Sequence, residues 1–139
     1  MEKRKVLFVD DDVQYLRLLI SIVTDVGFDS CRASSAEEAL ALLATKRFEM
    51  MVTDLQMPGM DGLELSTLAK RLDPDMEIVL VTGAVSPEVL VRAATIGIST
   101  VLAKPCRVEE IKALVQEGAG ASIPAAPTGS GAWRLGRCC

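Results

Sequence analysis

The chain has 139 residues, 15 Lys and Arg against 19 Asp and Glu, no histidine and a formal net charge of −4. This length suits one domain and is too short for two with separate cores, while a hydrophobic fraction of 50% excludes a disordered chain. The lack of histidine excludes Ser-His-Asp catalysis and His-ligated zinc, and the negative charge argues against nucleic acid, whose phosphates need clustered Lys and Arg.

Five short apolar runs, rich in Val, Ile and Leu, predict strands that are buried on both faces of a parallel sheet. They cover residues 6–9, 28–32, 50–53, 78–81 and 100–103. The intervals between them repeat apolar residues every three or four positions, which is typical of amphipathic helices. Strict alternation predicts an open, doubly wound sheet with right-handed crossovers and helices on both faces, because a barrel needs eight such units and about 250 residues.

Residues with capping chemistry mark the helix ends. Ser35 and Glu38 have the spacing of a capping box, and Asp61 precedes the third helical pattern as a cap. Ser86 stands before a proline at the first helical position, and Gly97 is placed to end that helix.

The last 21 residues have a different composition from the rest. In the segment 119–139, 14 residues are Gly, Ala, Pro, Ser or Thr. We interpret 1–118 as the folded domain and 119–139 as a flexible tail or linker without a core of its own. An alternative makes the tail a docking segment with Trp133 and Leu135 as anchors.

The N-terminus and the cysteines favour a cytoplasmic protein. A basic start and an apolar run at 6–9 resemble a signal peptide, but three aspartates follow at once. No apolar run approaches the roughly 20 residues that span a bilayer. The four cysteines form no CxxC pair, so free thiols in a reducing compartment are the simplest interpretation.

Polar side chains follow four of the predicted strands. Three aspartates, 10–12, follow the first strand, Asp54 the third, Thr82 the fourth and Lys104 the fifth. In open α/β sheets ligands bind beyond these carboxyl ends. Clustered carboxylates repel one another, and a divalent cation such as Mg²⁺ removes that conflict. An aspartate in such a site is a plausible nucleophile that forms an aspartyl phosphate. Taken alone, Asp12 is interpreted as a helix cap.

Four segments of the chain resemble the receiver domain of two-component response regulators. They are VLFVDDD (6–12), VTDLQMPGMDG (52–62), VLVTG (79–83) and VLAKP (101–105), and the resemblance covers residues 4–117. It implies a flavodoxin-like (βα)5 fold with a five-stranded parallel sheet of order 2-1-3-4-5. It also implies a receiver rather than a sender, because a chain without histidine cannot donate from a phosphohistidine.

The resemblance implies a phosphoryl acceptor and a metal site. Asp54 would accept the phosphoryl group from a histidine kinase or a histidine phosphotransfer protein. Asp10, Asp11, Asp54 and the backbone carbonyl of Gln56 would hold Mg²⁺, with Mn²⁺ as a substitute. Asp11 would be a direct ligand and Asp10 would act mainly through water.

Further residues would bind the phosphoryl group and transmit its presence. Lys104 would pair with it, Thr82 would swing towards it as the switch hydroxyl, and the bond before Pro105 would be cis. Receivers usually carry Tyr or Phe at the position of Val101, and valine cannot make the same ring rotation because its χ1 is stiff. Cys106 stands where a bulky apolar residue is common.

By the same resemblance the chain is a signalling domain whose only chemistry is self-catalysed phosphotransfer and autodephosphorylation. Its output target is an unidentified protein. We expect no direct contact with nucleic acid or membrane, and a monomer or weak homodimer.

Two other functions fit parts of the sequence. A phosphatase of the haloacid-dehalogenase type would use Asp10 as nucleophile and Asp12 as acid/base, but it needs a later acidic motif that TGAVSP (82–87) lacks. A phosphorylation-independent interaction module gains weight from Val101 and loses it from the intact acidic cluster. A flavin or nucleotide carrier is rejected because three aspartates would repel its phosphate.

Overall fold

Strands and helices alternate along the chain as the sequence predicts, and a short additional strand follows them. The structure, a computed structural model, describes residues 5–25, 27–104, 108–117 and 135–136. The strands are β1 Lys5–Val9, β2 Asp29–Ala33, β3 Met50–Asp54, β4 Glu77–Thr82, β5 Thr100–Ala103 and β6 Leu135–Gly136. The helices are α1 Val13–Asp25, α2 Ala36–Thr45, α3 Gly62–Leu72, α4 Pro87–Ile96 and α5 Val108–Glu117.

All strands pair in parallel in one sheet of order β2-β1-β3-β4-β5-β6. The predicted order 2-1-3-4-5 is therefore confirmed. The sixth strand lies inside the segment 119–139, for which the sequence predicted no element. β6 has only two residues, which is too few to show an apolar run or an alternating pattern. The unpaired outer edge of β5 was therefore the only feature from which this pairing could have been expected. The other residues of that segment lie outside the described ones.

The strands are apolar on both faces because helices cover both sides of the sheet. Val6 and Phe8 of β1 pack with the buried residues of α1 and α5. Leu7 and Val9, whose side chains point the other way, pack with those of α2, α3 and α4. Each face is a separate hydrophobic cluster, as expected for a doubly wound sheet.

The predicted caps are present, with one difference. The Asp61 carboxylate accepts the Glu64 N–H at 2.9 Å, and the Glu64 carboxylate accepts the Asp61 N–H, which makes a full capping box at α3. Ser35 accepts the Glu38 N–H at 3.1 Å at the start of α2. The Glu38 carboxylate instead accepts from the backbone and hydroxyl of Ser34. The capping box predicted there is half correct, because the residue before the cap offers Glu38 two donors.

The loop after β3 is held tightly against the start of α3. The Gly62 N–H donates to the Leu55 carbonyl at 2.8 Å, and the Ser66 hydroxyl donates to the Gly62 carbonyl at 2.7 Å. A Cβ at Gly62 would collide with the carbonyl oxygen of Asp54 and would lie 2.9 Å from the Cα of Leu55. Glycine therefore lets α3 approach the end of β3, and this contact fixes the backbone that carries Asp54.

We predict that Gly62→Ala destabilises the protein by about 1–3 kcal/mol, the range found for overpacked cores. The sign is informative, because Gly→Ala inside an exposed helix normally stabilises by about 1 kcal/mol. Urea unfolding measures the difference. Gly83→Ala is the matched control, since its nearest neighbour would be the Lys104 Cβ at 4.0 Å. A Gly62→Ala protein as stable as the natural one would contradict the close approach.

Candidate functional site

The carboxyl ends of four neighbouring strands bring the predicted polar residues to one edge of the sheet. Asp10 directly follows β1, Asp54 and Thr82 are the last residues of β3 and β4, and Lys104 directly follows β5. Because β1, β3, β4 and β5 are adjacent in that order, residues far apart in sequence meet here. The site is thus a product of parallel topology and not of local sequence.

Lys104 links two carboxylates. Its Nζ lies 3.2 Å from Oδ1 of Asp54 and 3.5 Å from Oδ2 of Asp10. Both carboxylate side chains are 6% exposed, whereas the lysine side chain is 34% exposed. The Lys104 backbone N–H donates to the Thr82 carbonyl at 2.9 Å, so the start of the loop after β5 is fixed to the end of β4.

Three carboxylates form a cluster that fits a divalent cation. Asp10, Asp11 and Asp54 each offer one oxygen, and these oxygens lie within 4.8 Å of one another. Asp10 and Asp54 are buried and Asp11 is exposed. Mg²⁺ and Ca²⁺ prefer such oxygen ligands. The single ammonium of Lys104 does not balance three carboxylates, which leaves net negative charge for a cation to neutralise.

Burial shapes the protonation of the cluster. Burial raises the pKa of Asp10, the charges of Asp54 and Asp11 raise it further, and the Asp12 N–H and Lys104 only partly oppose this. Burial alone would lower the pKa of Lys104, but Asp10 and Asp54 outweigh that effect and hold its pKa above the usual value. The lysine therefore stays charged. The negative charge of the Asp10 carboxylate is only partly compensated by its positive and hydrogen-bonding neighbours.

Thr82 and Val101 lie beside this cluster in the sheet. Thr82 is fully buried, and its Oγ1 accepts the Ala84 N–H at 3.0 Å. Its own hydroxyl hydrogen keeps the capacity to donate. Val101 is also fully buried, pairs with Leu80 in the sheet and belongs to the cluster on the α2–α4 face.

Other predicted residues have structural roles or remain untested. Asp12 accepts the Tyr15 N–H at 3.1 Å and caps α1, so its cap interpretation is confirmed. Gln56 is exposed two residues after Asp54, and the role of its carbonyl stays a prediction. Pro105, with its predicted cis bond, and Cys106 lie outside the described residues.

The sequence did not reveal the contacts by which two residues set the geometry of the site. Gly62 allows α3 to approach the Asp54 backbone, and Ala84 donates its N–H to the Thr82 hydroxyl. The resemblance segment 52–62 contained Gly62, but only the three-dimensional contact shows why a side chain there is excluded. A backbone donor such as that of Ala84 leaves no signal in a sequence.

Comparison with known proteins decides the family. A family model, the response regulator receiver domain, matches residues 6–116. The chain belongs to this family. It is 36% identical over 108 residues to a response regulator receiver protein of Anaeromyxobacter sp. (strain Fw109-5), an alignment that covers 78% of this chain. It spans only 45% of that relative's length.

Solved receiver structures have the same fold. A CheY-like receiver domain protein from Methanospirillum hungatei JF-1 superposes with a TM-score of 0.80 at 29% identity, covering 84% of this chain and 93% of that one. A response regulator from Burkholderia pseudomallei, solved with a phosphorylated aspartic acid, calcium ion and citrate, gives 0.77 at 28% identity, covering 87% and 69%.

The family assignment gives the general function of the domain. Receiver domains of two-component systems receive phosphate from histidine kinases or phosphotransfer proteins and bind a divalent metal through acidic residues. The acidic cluster of this receiver has the donors for such a metal. Among the residues described here, no helix is long and apolar enough to cross a membrane.

We predict that Asp10→Asn stabilises the metal-free protein at pH 7 by about 1 kcal/mol or less, because Lys104 keeps Asp54 as its partner and no charge is left unpaired. Because the pKa of Asp10 is raised in the folded state, its ionisation costs stability once the pH lies above that pKa. Asparagine keeps an oxygen for the Asp12 N–H, which donates to Asp10 at 3.0 Å.

Urea unfolding in the presence of EDTA makes this measurement. Asp11→Asn is the control, because Asp11 is exposed and its substitution should stay within about 0.5 kcal/mol. A destabilised Asp10→Asn protein would mean that the ion pair with Lys104 outweighs the cost of burial.

Proposed function

We propose that this receiver accepts a phosphoryl group on Asp54 from the phosphohistidine of a partner kinase or phosphotransfer protein, in a magnesium-dependent reaction. The observation that carries the proposal is the Asp54 carboxylate at the carboxyl end of β3, 3.2 Å from the Lys104 ammonium and clustered with Asp10 and Asp11. The Burkholderia relative, solved with a phosphorylated aspartic acid, supports it.

The transfer replaces one bond to phosphorus by another. A carboxylate oxygen of Asp54 attacks phosphorus, the phosphorus–nitrogen bond of the donor breaks, and the imidazole leaves with the electron pair. The phosphohistidine lies outside these 139 residues, because none of them is a histidine. Lys104 balances the charge that gathers on the phosphoryl oxygens, and its raised pKa keeps it protonated for this task.

Asp10, Asp11, Asp54 and the Gln56 carbonyl would hold Mg²⁺, or Mn²⁺ in its place. When bound, the cation supplies positive charge against the transferring phosphoryl oxygens. Asp11 is exposed and is proposed as a direct ligand, whereas the buried Asp10 acts mainly through water. The same groups would serve a second step, autodephosphorylation, in which water attacks phosphorus, the bond from phosphorus to the Asp54 oxygen breaks, and inorganic phosphate leaves. We propose no chemistry for the chain beyond phosphotransfer and this hydrolysis.

The signal is proposed to leave through Thr82 and not through an aromatic ring. The Thr82 hydroxyl has donor capacity for a phosphoryl oxygen, and turning towards it would break the bond from the Ala84 N–H. The loop that leads to α4 would then rearrange. Val101 is fully buried and its χ1 is stiff, so its side chain would stay in place while the loop moves.

Some features of this proposal concern the whole protein. Residues 1–118 would form the receiver domain, with 119–139 as tail or linker. The chain would act in the cytoplasm on an unidentified protein target, as a monomer or weak homodimer, without direct contact with nucleic acid or membrane.

We predict that incubation with acetyl phosphate and Mg²⁺ adds one phosphoryl group to the natural chain, measured by intact mass. The adduct should be absent without the metal and absent in Asp54→Asn, because that variant lacks the nucleophile. Asp10→Asn keeps Asp54 and should still gain the adduct, more slowly.

The alternative outcomes separate the competing functions. An adduct that persists in Asp54→Asn and is lost in Asp10→Asn would indicate a phosphatase-like nucleophile at Asp10. No adduct on the folded natural chain would favour a phosphorylation-independent module.

We predict that Lys104→Met slows phosphorylation by acetyl phosphate about 100-fold, the order found when one charge-stabilising group is removed from an active site. The phosphorylation rate from intact mass measures the effect, and circular dichroism checks the fold. Lys112→Met is the matched control and should keep the natural rate, because Lys112 lies on α5 and is not the lysine that pairs with Asp10 and Asp54. Equal rates for both variants would exclude Lys104 from the transfer step.

A further inference from the structure

The outer edge of β5 carries a strand that the family fold does not require. β6 pairs with β5 in parallel, with Leu135 opposite Val101 and Gly136 opposite Leu102. The pairing involves two residues, whereas β3 and β4 pair over five. Such a short pairing adds little buried apolar area to the core. Its main consequence is that it occupies the outer backbone edge of β5.

The outer edge of β5 has backbone N–H and C=O groups that need hydrogen-bond partners. Val101 and Leu102 are buried on the two faces of the sheet, at 0% and 2% exposure. Without β6 their outward backbone groups would form an open edge next to apolar faces. Such edges are templates for pairing with another extended chain.

The path of the chain explains why its own C-terminal segment reaches this edge in parallel. α5 runs back from the carboxyl end of the sheet to its amino end, so a following strand enters in the direction of the other five. Seventeen residues separate Glu117 from Leu135. They span at most about 60 Å when extended, well beyond the roughly 5 Å between neighbouring strands.

Charge also favours docking of the segment on its own domain. Residues 1–118 carry 13 basic and 19 acidic residues, whereas 119–139 carry two arginines and no acid. A tail of net +2 is attracted to a domain of net −6, with a strength that decreases as salt screens it.

We propose that the outer edge of β5 is a docking site for an extended segment, and that residues 135–136 of the same chain occupy it in cis as a detachable sixth strand. A partner strand, or a second copy of the chain, must displace this segment before it can pair with β5. This inference is independent of phosphoryl transfer, because it concerns a backbone edge and not the acidic cluster.

Amide hydrogen exchange by NMR on the full chain tests the proposal. The variant Leu135→Pro with Gly136→Pro cannot donate from either residue, and Ser130→Pro is the matched control. Without these donors to the β5 carbonyls the segment should undock, and the β5 amides that face β6 should then exchange about fivefold faster or more, the effect of about 1 kcal/mol lost with one net hydrogen bond. The Lys104 amide, bonded to the Thr82 carbonyl, should be unchanged in all three proteins.

Each other result would overturn the proposal. Equal β5 exchange in the three proteins would mean that the segment does not dock. Faster exchange at Lys104 as well would mean that β6 belongs to the cooperative fold and is not detachable. Repeating the measurement at tenfold lower protein concentration distinguishes the source of the strand, since protection that falls on dilution would assign it to a second copy.

Discussion

The interaction on which the site depends is the contact of Lys104 with two buried carboxylates, Asp54 at 3.2 Å and Asp10 at 3.5 Å. A carboxylate is stable in a buried position only if opposite charge or hydrogen-bond donors compensate it. One ammonium supplies part of that compensation and leaves the cluster net negative. An added cation would therefore stabilise this site, and with the cation bound the site would no longer repel a negatively charged phosphoryl group.

Parallel strand pairing is what makes this concentration of charge possible. Strands that all run in one direction end at the same edge, so Asp10, Asp54, Thr82 and Lys104 meet although up to 94 positions separate them. Close packing then fixes each of them. Gly62 lets α3 touch the Asp54 backbone, and the bond from the Lys104 N–H to the Thr82 carbonyl joins the ends of β4 and β5. A substitution in these contacts moves the site without touching its charges.

Much of the fold and the site could be predicted from the sequence, because both follow from strong local patterns. Apolar runs located the first five strands, and the range 100–103 coincides with β5 as the structure has it. The strand-end positions of Asp54 and Lys104 indicated the cluster before any distance was known. What failed depends on contacts, local or distant, that residue type and spacing do not determine. The Glu38 carboxylate bonds to Ser34, Gly62 has a steric role that its type alone does not reveal, and β6 has no pattern at all.

β5 carries Val101 and pairs with β6, the two features that the sequence patterns explain least well. The strand leads directly to Lys104, carries Val101 where receivers usually have an aromatic ring, and pairs with β6 along its outer edge. A ring that rotates at this position needs space beside the strand, and a stiff, buried valine needs none. A strand that stays in place offers a constant edge, which is the condition for stable pairing with an added segment. The valine and the sixth strand are thus mutually compatible, because neither requires a side chain of β5 to move.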